Sequence, residues 1–189
     1  EDKTKSYIDS LFVTTGKQYS HSNEQPVVSL TDDELIDKFL KTCKPWHVAP
    51  PQGTTSAALY YCMQGAHVIP MRRAEKLPMV KWKEWQTTCP SLSVIGKWNF
   101  SHGLILLGTD KHTFLDIDVK SVKHPTGIEN FDEKRLDGWW YERTKNGGYH
   151  VFGLGKMENR KGNGIEIIGK GRYIVTYPTN GYTLGEVKK

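Results

Sequence analysis

The stretch FLDIDVK, residues 114–120, places two aspartates one residue apart inside an apolar run. A β-strand sends successive side chains to opposite faces. Leu115, Ile117 and Val119 therefore share one face, and Phe114, Asp116 and Asp118 share the other. Two carboxylates held side by side on a sheet repel each other and resist desolvation unless a positive charge sits between them. A divalent metal ion is the candidate for that charge, and it makes an acidic site on a sheet the constraint around which the rest must fold.

The other strand-like segments obey the same rule. YHVFGL puts His150 on a face with Phe152, and GIEIIG sets Glu166 opposite Ile165 and Ile167. Three carboxylates on one sheet face can hold two divalent cations, and hard oxygen ligands suit Mg²⁺ or Mn²⁺. Such a pair, about 3.5–4 Å apart, is the working part of nucleotidyl transfer. A D-x-D pair alone is a weak motif, and a lone histidine or strand glutamate is more often structural. Their order and company carry the argument.

That company is basic and rich in glycine. RTKNGGYH (143–150) offers Lys145 and Asn146, then Gly147 and Gly148 just before His150. GKGRYIVTYPT (169–179) sets Lys170 and Arg172 beside Gly169 and Gly171. Glycines let a backbone approach phosphate closely, and arginine is its bidentate partner. Two ordinary β-turns with solvated charges would have the same composition.

Around these motifs the chain alternates. TDDELIDKFLKT (31–42) carries a capping box, Thr31 with Glu34, and an apolar stripe of Leu35, Ile36, Phe39 and Leu40, so it reads as a helix. Pro45, Pro50 and Pro51 break regular structure after it. Helices are expected at 56–65, 92–100 and 127–140. Strands are expected at 66–71, 103–109, 113–120, 147–154, 164–169 and 172–178. The strands at 103–109 and 113–120 read as a hairpin closed by Asp110–His112. The expected class is α+β, a helix-flanked and largely antiparallel sheet. Residues 1–55 read as an N-terminal arm or helical extension, and 56–189 as the main domain.

The 189 residues suffice for one well-buried domain, and a net charge of +5 permits a polyanionic partner. No run of eighteen apolar residues suggests a transmembrane helix, and the charged start lacks the apolar stretch of a signal peptide. Cys43, Cys62 and Cys89 contain no C-x-x-C and fit neither a disulfide framework nor a zinc ribbon, so a reducing, cytoplasmic compartment is expected.

The order GAHVIPM, KLPMVKWKEWQ, GLILLGT, FLDIDVK, TKNGGYHVFGL and GIEIIGKGRYIVTYPT resembles the primase-polymerase (prim-pol) domain of the archaeo-eukaryotic primase superfamily, in the version found on plasmids, viruses and other mobile elements. The resemblance runs from about residue 57 to 180. It implies an RRM-like catalytic core performing template-directed nucleotidyl transfer: making primers, extending them, or both. It implies that Asp116, Asp118 and Glu166 are the catalytic metal-binding acids, holding two Mg²⁺ or Mn²⁺ ions. It places His150 on the phosphates of an incoming NTP or dNTP, helped by Arg172, with Lys145, Asn146, Gly148 and Lys170 as further nucleotide-binding candidates. Asn146 stands where many relatives have serine. No cysteine follows Cys89, so the zinc stem of some plasmid relatives is not expected. No helicase P-loop occurs; a replicative helicase in the parent protein would lie outside this chain.

Lys81, Trp82, Lys83 and Lys97 interleave charge with an aromatic ring, a pattern suited to single-stranded DNA, in which bases stack while lysines follow the backbone. Trp85 and Trp98 read as core. The competing view is a non-catalytic single-stranded nucleic-acid-binding or replication-initiator module whose acids are structural. A metal-dependent nuclease would leave the basic turns unexplained.

Overall fold

A computed structural model describes residues 30–73 and 75–185. Thr31 caps α1 (Asp32–Thr42) through the reciprocal bonds of the capping box with Glu34. Leu35, Ile36 and Phe39 form its buried stripe. Two more helices follow, α2 (Thr54–Met63) and α3 (Leu92–Ile95).

The strands form two antiparallel sheets. The main sheet contains β1 (Lys44–Pro45), β4 (His112–Ile117), β5 (Tyr141–Arg143), β6 (Tyr149–Leu154), β7 (Arg160–Lys161), β8 (Ile165–Ile168) and β10 (Thr183–Leu184), in the order β10-β5-β6-β4-β8-β7 with β1 also on β6. The small sheet is β2 (Val68–Pro70), β3 (Leu104–Leu107) and β9 (Tyr173–Thr176), in the order β2-β3-β9. The architecture is thus α+β, with few helices and a large antiparallel sheet.

Alternation sorts the main sheet's side chains as expected. Leu115, Ile117, Val151, Ile165 and Ile167 face backward into a core closed by α1. Phe114, Phe152 and Ile168 face forward into a second core with α2 and the small sheet. Residues 30–55 are integral to this packing: α1 covers the back face, β1 extends β6, and Trp46 and Val48 are buried. Residues 1–29, part of the expected arm, lie outside the described residues.

Two local expectations are overturned. The segments at 103–109 and 113–120 are not a hairpin. A turn does close between Thr109 and His112, but β3 pairs β2 and β9 while β4 pairs β6 and β8. The chain leaves one sheet for the other at Gly108, and it crosses back between β8 and β9 at Gly169. A Cβ on Gly108 would stand 2.0 Å from the Gly169 carbonyl oxygen, so the two crossings meet at a corner only glycine can occupy. The second correction concerns 127–140, where only a 3₁₀ turn forms, at Glu133–Leu136. Gly138, at a φ of 81°, ends it, and the following residues enter β5 instead. β5 is short, which hid it behind the helical reading of the segment before it.

Candidate active site

Strand register gathers the polar residues into one row. Glu142 on β5 pairs with His150 on β6; His150 pairs with Asp116 on β4; Asp116 pairs with Glu166 on β8. Directly paired residues share a face. The row lies on the front face, two residues along from the apolar row of Phe152, Phe114 and Ile168.

The row opens into a cleft of about 320 Å³ between the two sheets. Asp116, His150 and Glu166 line it from the main sheet, Arg172, Tyr173 and Val175 from the crossing and β9, and Lys76, Trp82 and Tyr182 from flanking loops. A neighbouring cavity of about 420 Å³ shares Lys76, Val175 and Tyr182 and adds His102, Lys145 and Asn180.

The row runs acid, base, acid, acid. His150 is buried, its Nδ1 2.7 Å from Glu142 Oε1 and its Nε2 3.4 Å from Asp116 Oδ1. Burial alone would push the imidazolium down, but the charges of Asp116 and Glu142 reverse this and hold it up to about 10. Burial works to raise the Asp116 carboxyl, and His150 beside it holds it below the usual carboxylate range. Glu166 pairs with the Arg172 guanidinium. Asp118 lies just past the end of β4, its N–H donating to the Gly164 carbonyl, and does not line the cleft. Burial and the charge of Asp116 raise its carboxyl, against the pull of His124. His124 Nδ1 stands 3.6 Å from Asp118, and Asn146 meets the other ring nitrogen at 3.0 Å.

The remaining candidates scatter. Gly148 is buried, and a Cβ there would stand 2.3 Å from the Ile117 carbonyl oxygen, so it serves the approach of β6 to β4 and lines neither cavity. Lys170 turns away to Asp110, at 2.8 Å. Trp82 is half-buried edge-on against Tyr173, 5.3 Å between ring centres, at the wall of the cleft. Lys81, Lys83 and Lys97 are exposed and line neither cavity. Trp85 and Trp98 pack on each other at 5.3 Å and are partly buried.

Sequence reading missed Glu142, His124, Lys76 and Tyr182. Glu142 had a usable signal: a tight turn around Gly147 folds YER back on YHV, which brings Glu142 opposite His150. The others arrive from loops, and no local pattern marks them.

A family model described as "Bifunctional DNA primase/polymerase, N-terminal" matches residues 58–186. The chain belongs to the prim-pol family. The match spans every strand of the two sheets except β1, and every residue of the row. No curated protein matches the chain. A prim-pol domain is expected to bind DNA and nucleotides, and the cleft between the sheets is where this one brings its acids and bases together. Among the described residues, no helix is long and apolar enough to cross a membrane.

Proposed function

We propose that this prim-pol domain is catalytic, a primase/polymerase module of the mobile-element kind performing metal-dependent, template-directed nucleotidyl transfer in DNA replication. The observation that carries the reading is the row in register: Asp116, His150 and Glu166 on three adjacent strands, facing one cleft. Structural ion pairs alone do not call for a basic residue and two acids to converge on an open cavity.

The donor chemistry fits Mg²⁺ or Mn²⁺. Asp116, Asp118 and Glu166 offer only hard carboxylate oxygens, and two of them are direct cross-strand partners. Asp116 now faces His150, Glu166 faces Arg172 and Asp118 lies beside the His124 ring, and among the described residues no group of three Asp, Glu, His or Cys side chains is already arranged to hold a metal ion. The three acids would hold the ions in place of those internal partners. Bound there, the ions would activate the attacking 3′-hydroxyl and neutralise the leaving pyrophosphate.

The chain's own residues supply the rest. His150, charged and aimed into the cleft, binds nucleotide phosphate through Nε2–H. Arg172, released from Glu166, offers a planar pair of donors to the same phosphates. Lys145, in the adjoining cavity, adds charge. Trp82 and Tyr173 present ring surface to a base at the opposite wall, and single-stranded DNA would pass there.

The test is incorporation of labelled nucleotide on primed and unprimed single-stranded templates with Mg²⁺ or Mn²⁺. Extension that vanishes with chelator supports the reading. DNA binding without incorporation under either ion would instead assign the domain to nucleic-acid binding alone.

A further inference from the structure

The buried carboxylate of Glu142 is used by neither the metal nor the nucleotide reading. It has no exposed surface, yet both its oxygens are engaged. Oε1 stands 2.7 Å from His150 Nδ1. Oε2 accepts from Thr176 Oγ1 at 2.9 Å and from the Tyr177 N–H at 2.7 Å. Thr176 ends β9, so this one side chain joins the main sheet to the small sheet.

We propose that Glu142 is a positioning residue: it fixes the ring of His150 with Nε2 aimed into the cleft and locks β9 to the catalytic sheet. A carboxylate oxygen can only accept, so Nδ1 must carry the proton across that 2.7 Å contact. The partner of one ring nitrogen sets the orientation and proton placement of the other. Two donors on Oε2 then pin the carboxylate itself. It cannot swing to follow the histidine, and the histidine cannot flip without stranding a buried charge. Tyr182, its ring 5.7 Å from that of His150, limits movement on the cleft side. The same three contacts set the distance between Asp116 on one wall and Val175 on the other, and so the width available to a nucleotide.

This inference rests on reading His150 as a phosphate-binding group, and the experiment separates the two. Glu142→Gln keeps the shape but turns one arm of the clamp into an amide donor, which cannot serve both sides. In metal-free wild-type protein, nitrogen–proton correlation spectra should show His150 with a protonated Nδ1 in slow exchange, and Glu142→Gln should shift or abolish that signal. The apparent KM for nucleotide should rise about tenfold in Glu142→Gln, with affinity for single-stranded DNA unchanged. His150→Ala combined with Glu142→Gln should cost less than the sum of the two single losses, because part of the Glu142 effect runs through the histidine. Additive penalties, or an unchanged KM in Glu142→Gln, would overturn the proposal. So would a wild-type Nδ1 without a proton, which decides the matter even if the variant fails to fold. Should His150→Ala leave KM untouched, the phosphate role of His150 fails, while the spectra still decide whether Glu142 positions it.

Discussion

Asp116 and Glu166 are direct partners across β4 and β8, yet their carboxylates face different cations: His150 for Asp116 and Arg172 for Glu166. Two acids that would repel if left alone are thus held apart by internal positive charge. The arrangement predicts which substitutions loosen the site and which merely empty it.

Asp116→Asn and Asp118→Asn should each abolish nucleotide incorporation and differ in stability. Asp116 is tied to a buried imidazolium, so its loss should cost about 1–3 kcal/mol. Asp118 is raised by burial and by the charge of Asp116, and it is half-exposed, so Asp118→Asn should change stability by no more than about 0.5 kcal/mol, in the stabilising direction. Melting curves in metal-free buffer beside an extension assay check both; wild-type synthesis by either variant would refute the metal assignment.

His150→Ala and Arg172→Ala should raise the apparent KM for nucleotide about tenfold or more, since charge-assisted hydrogen bonds to phosphate are worth about 1.5–3 kcal/mol. Their affinity for single-stranded DNA should hold. A fall in DNA affinity with KM unmoved would place these residues on the template side.

Trp82→Ala should weaken single-stranded DNA binding by roughly 1–3 kcal/mol if a base stacks at the cleft wall. Neutralising Lys81, Lys83 and Lys97 should lower the log–log salt slope by about 0.7 for each phosphate no longer neutralised. These lysines line neither cavity, so the tryptophan effect should exceed theirs at high salt. Titrations at several salt concentrations, with a melting curve for each variant, distinguish weakened DNA binding from a loosened fold.

Stability should fall in mild acid through His112, which is buried against Trp46 at 4.6 Å. Burial, with His67 and Lys111 nearby, pushes its imidazole down to about 4. A depressed histidine binds fewer protons in the folded state than in the unfolded chain, so stability rises with pH across that window. The contribution is intact above about 6.5 and is lost as pH falls toward 4, by about 3 kcal/mol. His112→Phe should flatten this limb relative to wild type in denaturant melts at stepped pH.

Phe39→Ala should cost about 3–5 kcal/mol, because its ring is fully buried on the back of the sheet, 5.3 Å from Trp139. Denaturant melts measure it, and a change under about 1 kcal/mol would mean that α1 is a detachable extension.

Local sequence alone was enough to assign the faces. Period-two alternation put Phe114 and Asp116, His150 and Phe152, and Glu166 on one side of their strands, and the capping box placed α1. These are consequences of backbone geometry, readable over a few residues. Pairing was not legible. Whether GLILLGT joined FLDIDVK or left it depended on the approach of Gly108 to Gly169, sixty-one residues apart along the chain. Gly148 and Lys170 looked equivalent to their neighbours in sequence. Packing against Ile117 and ion pairing with Asp110 separated them from the cleft. Glu142 belongs to the same class. Only the closing of β5 on β6 and the approach of the end of β9 to Glu142 give its buried charge the three donors that make burial tolerable. Alternation follows from one strand, whereas a site needs several strands in register, and register is settled by residues distant in sequence.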